Sequence, residues 1–242
     1  MLNDNLEQQA RTLFHEWFIS TPHDVETHDT ELGVLPADFT IKKTGELPII
    51  VTDYVANGSF ASLKENVHLY QERNYAYFIR NTDLKAGTFE VFVDERSYNF
   101  LTKSRLFGGE IIISNVGDVG SVFLCPVLDA PMTLGNNIIM IKPLQNEFQY
   151  FLYIWFKWSA GQDLMQGIKG GSAQPKFNKT DFKSLPIILP PKNLLKKFHS
   201  TVRPLFEDIE CNQTESRKLV ALRDALLPRL MSGELDVSAI KP

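Results

Sequence analysis

Three polar segments carry side chains suited to nucleic-acid contact. Asn57-Gly58-Ser59-Phe60-Ala61-Ser62, with Lys64 just beyond, puts an amide, hydroxyls, an aromatic ring and a cation in one short stretch. Lys103-Ser104-Arg105 sets two cations around a hydroxyl, and the run from Lys169 to Lys176 holds Ser172 and Gln174 between lysines. Lysines neutralise phosphates without selectivity, whereas amides, hydroxyls and a bidentate guanidinium pair with base edges. An exposed aromatic can wedge against a base. The candidate contacts are therefore Asn57, Ser59, Phe60, Lys64, Lys103, Arg105, Lys169, Ser172, Gln174 and Lys176, with Arg105 placed to read guanine. Each segment also reads as an ordinary polar turn.

Covalent chemistry on DNA would need other parts. Amino-methylation calls for a glycine-rich cofactor loop and an Asn/Asp-Pro-Pro-aromatic motif to hold a flipped base; Pro190-Pro191 instead follows Leu189 and precedes Lys192. Asp83-Leu84-Lys85 with Asp53 upstream, and Asp181-Phe182-Lys183, contain the carboxylates and lysine of a metal-dependent nuclease, but tripeptides this short recur by chance. No glycine loop ends in Lys-Ser or Lys-Thr, and the five histidines are scattered. Cys125 and Cys211 lack metal-ligand spacing and read as reduced thiols. Neither a catalytic residue, a metal site nor a cofactor bound by this chain is expected.

A net charge of -4 argues at first against a DNA partner, since duplex binding rests on cations meeting phosphates. The charge is segregated, however. Residues 1–46 carry nine acids against three bases, whereas 161–199 carry seven lysines against Asp163 and Asp181. No apolar run of membrane-spanning length occurs, and Met1 to Gln9 is polar and acidic rather than a signal core, so a cytoplasmic protein without a membrane partner is expected.

The elements that must position these segments can be read from periodicity. Leu2, Leu6, Ala10, Leu13, Phe14, Trp17 and Phe18 fall on one stripe of a helix within residues 1–20, with Pro22 marking its end. Thr21 to Thr30 has no apolar period and reads as a connector, and a globular domain is expected to begin near Leu32. β-rich runs follow at Ile49–Val51, Tyr75–Ile79, Phe89–Val93, Ile111–Ile113 and Ile138–Ile141, separated by Gly, Asn and Asp. The aromatic stretch Phe148–Trp158 predicts a buried helix ended by Gly161, and Leu185–Pro191 a last extended run. The fold class is α+β: a mixed, sheet-centred domain over 21–191, flanked by a short helix and a long one.

Beyond Pro191 the period becomes heptad-like. Leu195, Phe198, Val202, Leu205, Ile209, Asn212, Ser216, Leu219 and Leu226 mark a coiled-coil seam on a helix within 192–232, roughly 55–60 Å long, followed by a tail over 233–242. Pro204 is expected to bend this rod, polar Asn212 and Ser216 to fix register and partner number, and Gly233 to stop it. Leu6, Leu13, Phe14 and Trp17 are spaced as are Leu219, Leu226, Leu227 and Leu230, which suggests one unit of a head-to-tail repeat.

The C-terminal text, from Pro204-Leu205-Phe206 through Leu219-Val220-Ala221-Leu222-Arg223-Asp224-Ala225-Leu226-Leu227-Pro228-Arg229-Leu230-Met231-Ser232-Gly233-Glu234-Leu235, closely resembles the terminal helix of type I restriction-modification specificity subunits. Gly33-Val34-Leu35-Pro36 and Leu185-Pro186-Ile187-Ile188-Leu189-Pro190-Pro191 resemble the way into and out of that family's target-recognition domain. Gly109-Glu110-Ile111-Ile112-Ile113-Ser114 with Gly117 and Gly120, and Gly171-Ser172-Ala173-Gln174-Pro175, are similar to its interior landmarks. Gln9-Ala10-Arg11-Thr12-Leu13-Phe14-His15-Glu16-Trp17-Phe18 is similar to the phrase that closes the family's central helix. The departures are one recognition domain instead of two, Phe39 where Trp is common, and Lys196-Lys197 where Gln is common.

The resemblance implies a specificity subunit without catalysis of its own, reading one half of a split DNA site and using the long helix as a ruler. Its implied partners are double-stranded DNA, methyltransferase subunits carrying S-adenosylmethionine, and restriction-translocase subunits using ATP and Mg. The chain is then either a half-subunit that forms a homodimer or the C-terminal half of a longer subunit. A coiled-coil scaffold whose globular domain binds protein, and a stand-alone DNA-acting enzyme, are the competing readings.

Overall fold

The computed structural model describes residues 2–20, 25–171 and 174–234. Helix α1 (Leu2–Phe14) runs into a π-helical turn, His15–Ile19. The strands β1 (Thr27–Thr30), β2 (Gly33–Pro36), β3 (Thr40–Lys43) and β4 (Ile49–Asp53) lead to α2 (Phe60–Asn66). Next come β5 (Leu69–Tyr70), β6 (Ala76–Ile79), α3 (Asn81–Ala86), β7 (Phe92–Val93), α4 (Glu95–Phe100), β8 (Arg105–Leu106) and β9 (Ile111–Ser114). The chain continues through β10 (Val122–Leu124), β11 (Met132–Leu134), β12 (Ile138–Pro143), α5 (Gln149–Lys157) and α6 (Ser159–Gly167), and ends with α7 (Lys179–Ser184), β13 (Pro186–Leu189) and α8 (Lys192–Met231).

Ile111, Ile112 and Ile113 are all buried because β9 is sandwiched. Successive strand side chains point to opposite faces. Ile111 and Ile113, with Ile139 and Ile141 of β12, face a core shared with α1, α5 and α8. Ile112, Ile138 and Met140 face a second core built with Tyr77, Ile79, Leu106, Met132 and Leu134. The first set belongs to an antiparallel sheet of order β10-β9-β12-β4, the second packs on a mixed sheet of order β5-β7-β6-β11-β8, in which β6 and β11 are parallel. Strands covered on both faces lose their polar alternation, hence the unbroken isoleucine runs.

Helix α5 is the hub of the first core: every residue from Tyr150 to Phe156 is buried. It ends at Trp158, whose backbone turns extended (ψ 153°), rather than at Gly161 as expected. Gly161 lies inside α6, where any Cβ would collide with the Trp155 carbonyl, so glycine there permits the tight α5–α6 corner. The supposed connector also differs: Thr27–Thr30 pairs with Gly33–Pro36 as a hairpin. Pro22 and the tail beyond Glu234 lie outside the described residues.

The long helix spans 40 residues, about 60 Å, and continues through Pro204. Its first half corrects the expected inter-chain seam. Leu195, Phe198 and Val202 are buried within the chain's own first core, and Leu205 and Ile209 pack against it. Phe198 meets Phe14 (centroids 6.0 Å) and Phe18 (4.9 Å), while Asn212 Nδ2 donates to Asn3 Oδ1 at 2.9 Å, so α1 lies antiparallel along α8. The reason is that a heptad stripe requires an apolar partner but does not specify which; α1, with Phe14 and Phe18 on its own stripe, is the nearest. Beyond Arg217, whose guanidinium donates to the Val127 carbonyl at 3.4 Å, the helix leaves the body: Leu219 is 59% exposed, Met231 81%, and Leu226 half-buried. No helix of the described residues is long and apolar enough to cross a membrane.

Candidate nucleic-acid interface

The segments singled out from sequence are brought to one end of the four-stranded sheet. β4 ends at Asp53, which lies opposite Ile139 at the start of β12, and Ile138 lies opposite Ser114 at the end of β9. The loop after β4, the loop after β9 and the turn before β12 therefore share an edge. Asn57, from the first loop, donates through Nδ2 to Ser104 Oγ at 2.8 Å and accepts from the Lys103 amide at 2.8 Å, joining the first two segments. The third is stitched in from the other side: Val116 bridges to Lys176, the Gly117 amide donates to the Pro175 carbonyl at 2.8 Å, and Lys179 Nζ pairs with Asp53 at 2.8 Å.

Within this end the candidates divide by what their side chains already do. Asn57 is consumed by the protein, since its Nδ2 also donates to the Tyr54 carbonyl, so it clamps two loops rather than displaying an amide. Ser59 caps α2, its Oγ accepting from the Ser62 amide at 3.2 Å. That cap presents Phe60 outward, 84% exposed, with Lys64 one turn further on. Arg105 lies with its guanidinium over the Tyr98 ring at 4.6 Å and donates to Asn99 Oδ1 at 3.2 Å, so the expected guanine reader is engaged elsewhere. Lys169 donates to Gln166 Oε1 at 2.7 Å. Gln174 and Lys176 are exposed on a loop closed by reciprocal 2.9 Å bonds between Gly170 and Lys176. Ser172 lies outside the described residues.

The electrostatics of this end favour an anion. Four of its carboxylates are tied up locally, Asp53 by Lys179, Asp83 by Arg80 at 2.6 Å, Asp118 by Lys85 at 2.6 Å, and Asp181 by the Asn178 side chain at 2.7 Å, while Glu65 is exposed beside Lys64. Hydrogen bonds from Lys85 first, then Ser121, hold the Asp118 carboxyl at about 2, below its ordinary 3.8. Lys64, Lys103 and Lys176 have no carboxylate partner among the described residues. The same pairings account for both nuclease-like tripeptides, whose acids serve turns and caps. Among the described residues, no group of three or more His, Cys, Asp or Glu could hold a metal ion.

Residues 36–220 match the family model described as the type I restriction modification DNA specificity domain. The chain belongs to this family. It is 30% identical over 247 residues to the type I restriction enzyme MjaIX specificity subunit of Methanocaldococcus jannaschii, covering 98% of this chain and 55% of that protein. Against the HindI specificity subunit of Haemophilus influenzae it is 29% identical over 138 residues, 57% of this chain and 29% of the relative. The chain thus spans about half the length, or less, of these curated relatives. A solved chain from a type I R-M system, studied for complex assembly and conformational transition, has the same fold at 16% identity, with a TM-score of 0.51 over 94% of this chain and 52% of that one.

Two exposed amides on this loop end, Asn136 and Asn137, escaped sequence reasoning because Gly135-Asn136-Asn137 reads only as a turn. Their placement required knowing that β12 neighbours both β9 and β4.

Proposed function

We propose that this chain reads one part of a split duplex-DNA site as the specificity component of a type I restriction-modification complex and performs no catalysis itself. The observation that carries this reading is the convergence, at one end of a rigid sheet, of three lysine-bearing segments that are far apart in sequence. Lys64, Lys103 and Lys176 supply unpaired cations for phosphates, Gln174 an amide for a base edge, and Phe60 a ring for stacking against a base. Family membership supports the same reading.

The helix is anchored at the other end of the sheet. β12 runs from Ile138, at the loop end, to Pro143, about 17 Å away; just beyond it Gln145 and Glu147 hold Lys192 at the start of α8. In this proposal α8 spaces the loop end from a second such unit, supplied either by an identical chain in a homodimer or by the other half of a longer subunit. Exposed Leu219, Leu222, Leu227 and Leu230 offer the apolar contact. Two identical units related by a two-fold axis require a palindromic split target. Methyltransferase subunits with S-adenosylmethionine, and restriction-translocase subunits with ATP and Mg, supply the chemistry, in the cytoplasm where the DNA lies.

Co-expression with cognate methyltransferase subunits, followed by genome-wide mapping of methylated adenines, tests the proposal. A bipartite motif that disappears when this chain is omitted is expected. Methylation without a motif, or DNA affinity indifferent to sequence, favours the coiled-coil scaffold instead.

A further inference from the structure

The turn Gly135-Asn136-Asn137 joins β11 to β12 at the loop end of the sheet, bonded on one side to β6 and the segment before β8 and on the other to the loop after β9. Leu134 donates its amide to the Ser104 carbonyl at 2.8 Å, Gly135 to the Ile79 carbonyl at 2.7 Å, and Asn115 donates to the Asn137 carbonyl at 3.1 Å. Gly135 is pressed so closely on β6 that a Cβ would stand 2.6 Å from the Ile79 oxygen. The backbone of the turn is therefore held from three sides, while the side chains of Asn136 and Asn137 are exposed and make no hydrogen bond among the described residues.

Asn137 has φ +64°, the left-handed region. At the eight other such positions among the described residues the chain uses glycine. Glycine adopts this conformation freely, whereas a residue with a Cβ is strained there, asparagine least among them. Of the left-handed positions at this end, Gly117, Gly120, Gly171 and Asn137, only Asn137 keeps a side chain, where glycine would hold the turn at least as well. Strain retained at a point where other contacts over-determine the backbone is a mark of function.

Resting on the function proposed above, we propose that Asn137 is a specificity-determining residue that reads an adenine in the target. A carboxamide presents one donor and one acceptor in a plane, matching the N7 acceptor and N6 amino group of adenine in the major groove. Guanine offers two acceptors at the same edge and leaves the amide oxygen without a partner. Asn136 stands beside it, and the nearby lysines, Lys103 and Lys176, hold the phosphates that set the register.

The test uses a pool of duplexes with randomised positions, selected by the chain in complex with its methyltransferase subunits, and two variants that keep the turn. Wild type should enrich a motif with a fixed A·T pair. Asn137→Gly should leave the melting temperature unchanged or higher, lose preference at that single position, and weaken binding to the original motif about 5- to 150-fold, the worth of one bidentate pair. Asn137→Asp, with an acceptor in place of the donor, should move the preference toward cytosine. An unchanged motif and affinity with Asn137→Gly overturns the inference while leaving DNA recognition standing. Failure of the wild type to enrich any motif overturns the functional proposal itself, and the inference with it.

Discussion

Asn212, on the long helix, donates its side-chain amide to Asn3, on the first, at 2.9 Å, joining residues 209 apart in the chain. A polar residue in a heptad seam fixes register and partner; here the partner is internal. The pair sits where α1 begins and α8 is about to leave the body, so it pins α1 against sliding along the rod. Asn212→Leu leaves the half-buried Asn3 amide unmatched at a cost of about 1 kcal/mol. A fall in melting temperature of about 2–4 °C is expected for a chain of this size. Combining Asn3→Leu with Asn212→Leu replaces both partners by apolar groups and should recover most of the loss in thermal denaturation. Additive losses in the double variant would show that the amides do not act as a pair.

The exposed lysines of the loop end should behave as phosphate ligands. Lys64→Gln, Lys103→Gln and Lys176→Gln are each expected to weaken DNA binding by the same factor on cognate and random duplexes. Each should also lower the slope of log K against log salt by about 0.9, because one phosphate fewer is neutralised. Lys196→Gln, exposed on α8 at the far end of the sheet, serves as the control and should leave the slope unchanged. Binding titrations between low and physiological salt decide the matter.

Much of the scaffold was readable because burial on two faces leaves an unmistakable composition. The β9 and β12 isoleucine runs and the α8 heptads each declare themselves from sequence. The β1 hairpin did not, because Thr27-His28-Asp29-Thr30 is solvated almost throughout and carries no apolar alternation to read. The seam was legible as a seam, but its partner was not: Phe14 and Phe18 show an apolar stripe without showing that Phe198 lies against it. At the candidate site, Lys103 and Lys176 are exposed, as a phosphate contact requires. Residue type could not show that Asn57 and Arg105 have partners within the chain, because an amide or guanidinium is equally suited to bind a base or a neighbouring Ser104 or Tyr98.

The Asp118–Lys85 pair ties the loop after β9 to α3 and should make stability depend on pH at the acid end. Asp118 also accepts from Ser121 Oγ at 2.6 Å, and these bonds hold its folded-state carboxyl at about 2 against an ordinary 3.8. Between those values the unfolded chain binds the proton and the folded chain does not. The contribution is therefore complete above about pH 4 and is lost as pH falls toward 2. Because the pair is nearly half exposed, screening keeps the effect small. Asp118→Asn should flatten the dependence of melting temperature on pH between 4 and 2 while leaving that above pH 5 parallel to wild type. Identical slopes in the two proteins would assign acid sensitivity to other carboxylates.

The ruler proposal makes a geometric prediction that the fold sharpens. Changes between Leu195 and Asn212 would disrupt the chain's own core, since Phe198, Val202 and Phe206 are buried there. A clean test must lie beyond Arg217, the last residue of α8 seen to bond the domain. Inserting seven helix-forming residues between Lys218 and Leu222 adds two turns and keeps the apolar stripe in phase. The rod lengthens by about 10 Å, close to three base pairs of duplex. Mapping of methylated adenines in cells carrying the lengthened chain should return the same half-sites separated by about three more base pairs. Unaltered half-sites at the original spacing would show that α8 does not set the distance. A change in the half-sites themselves would place base reading on the helix rather than on the loop end of the sheet.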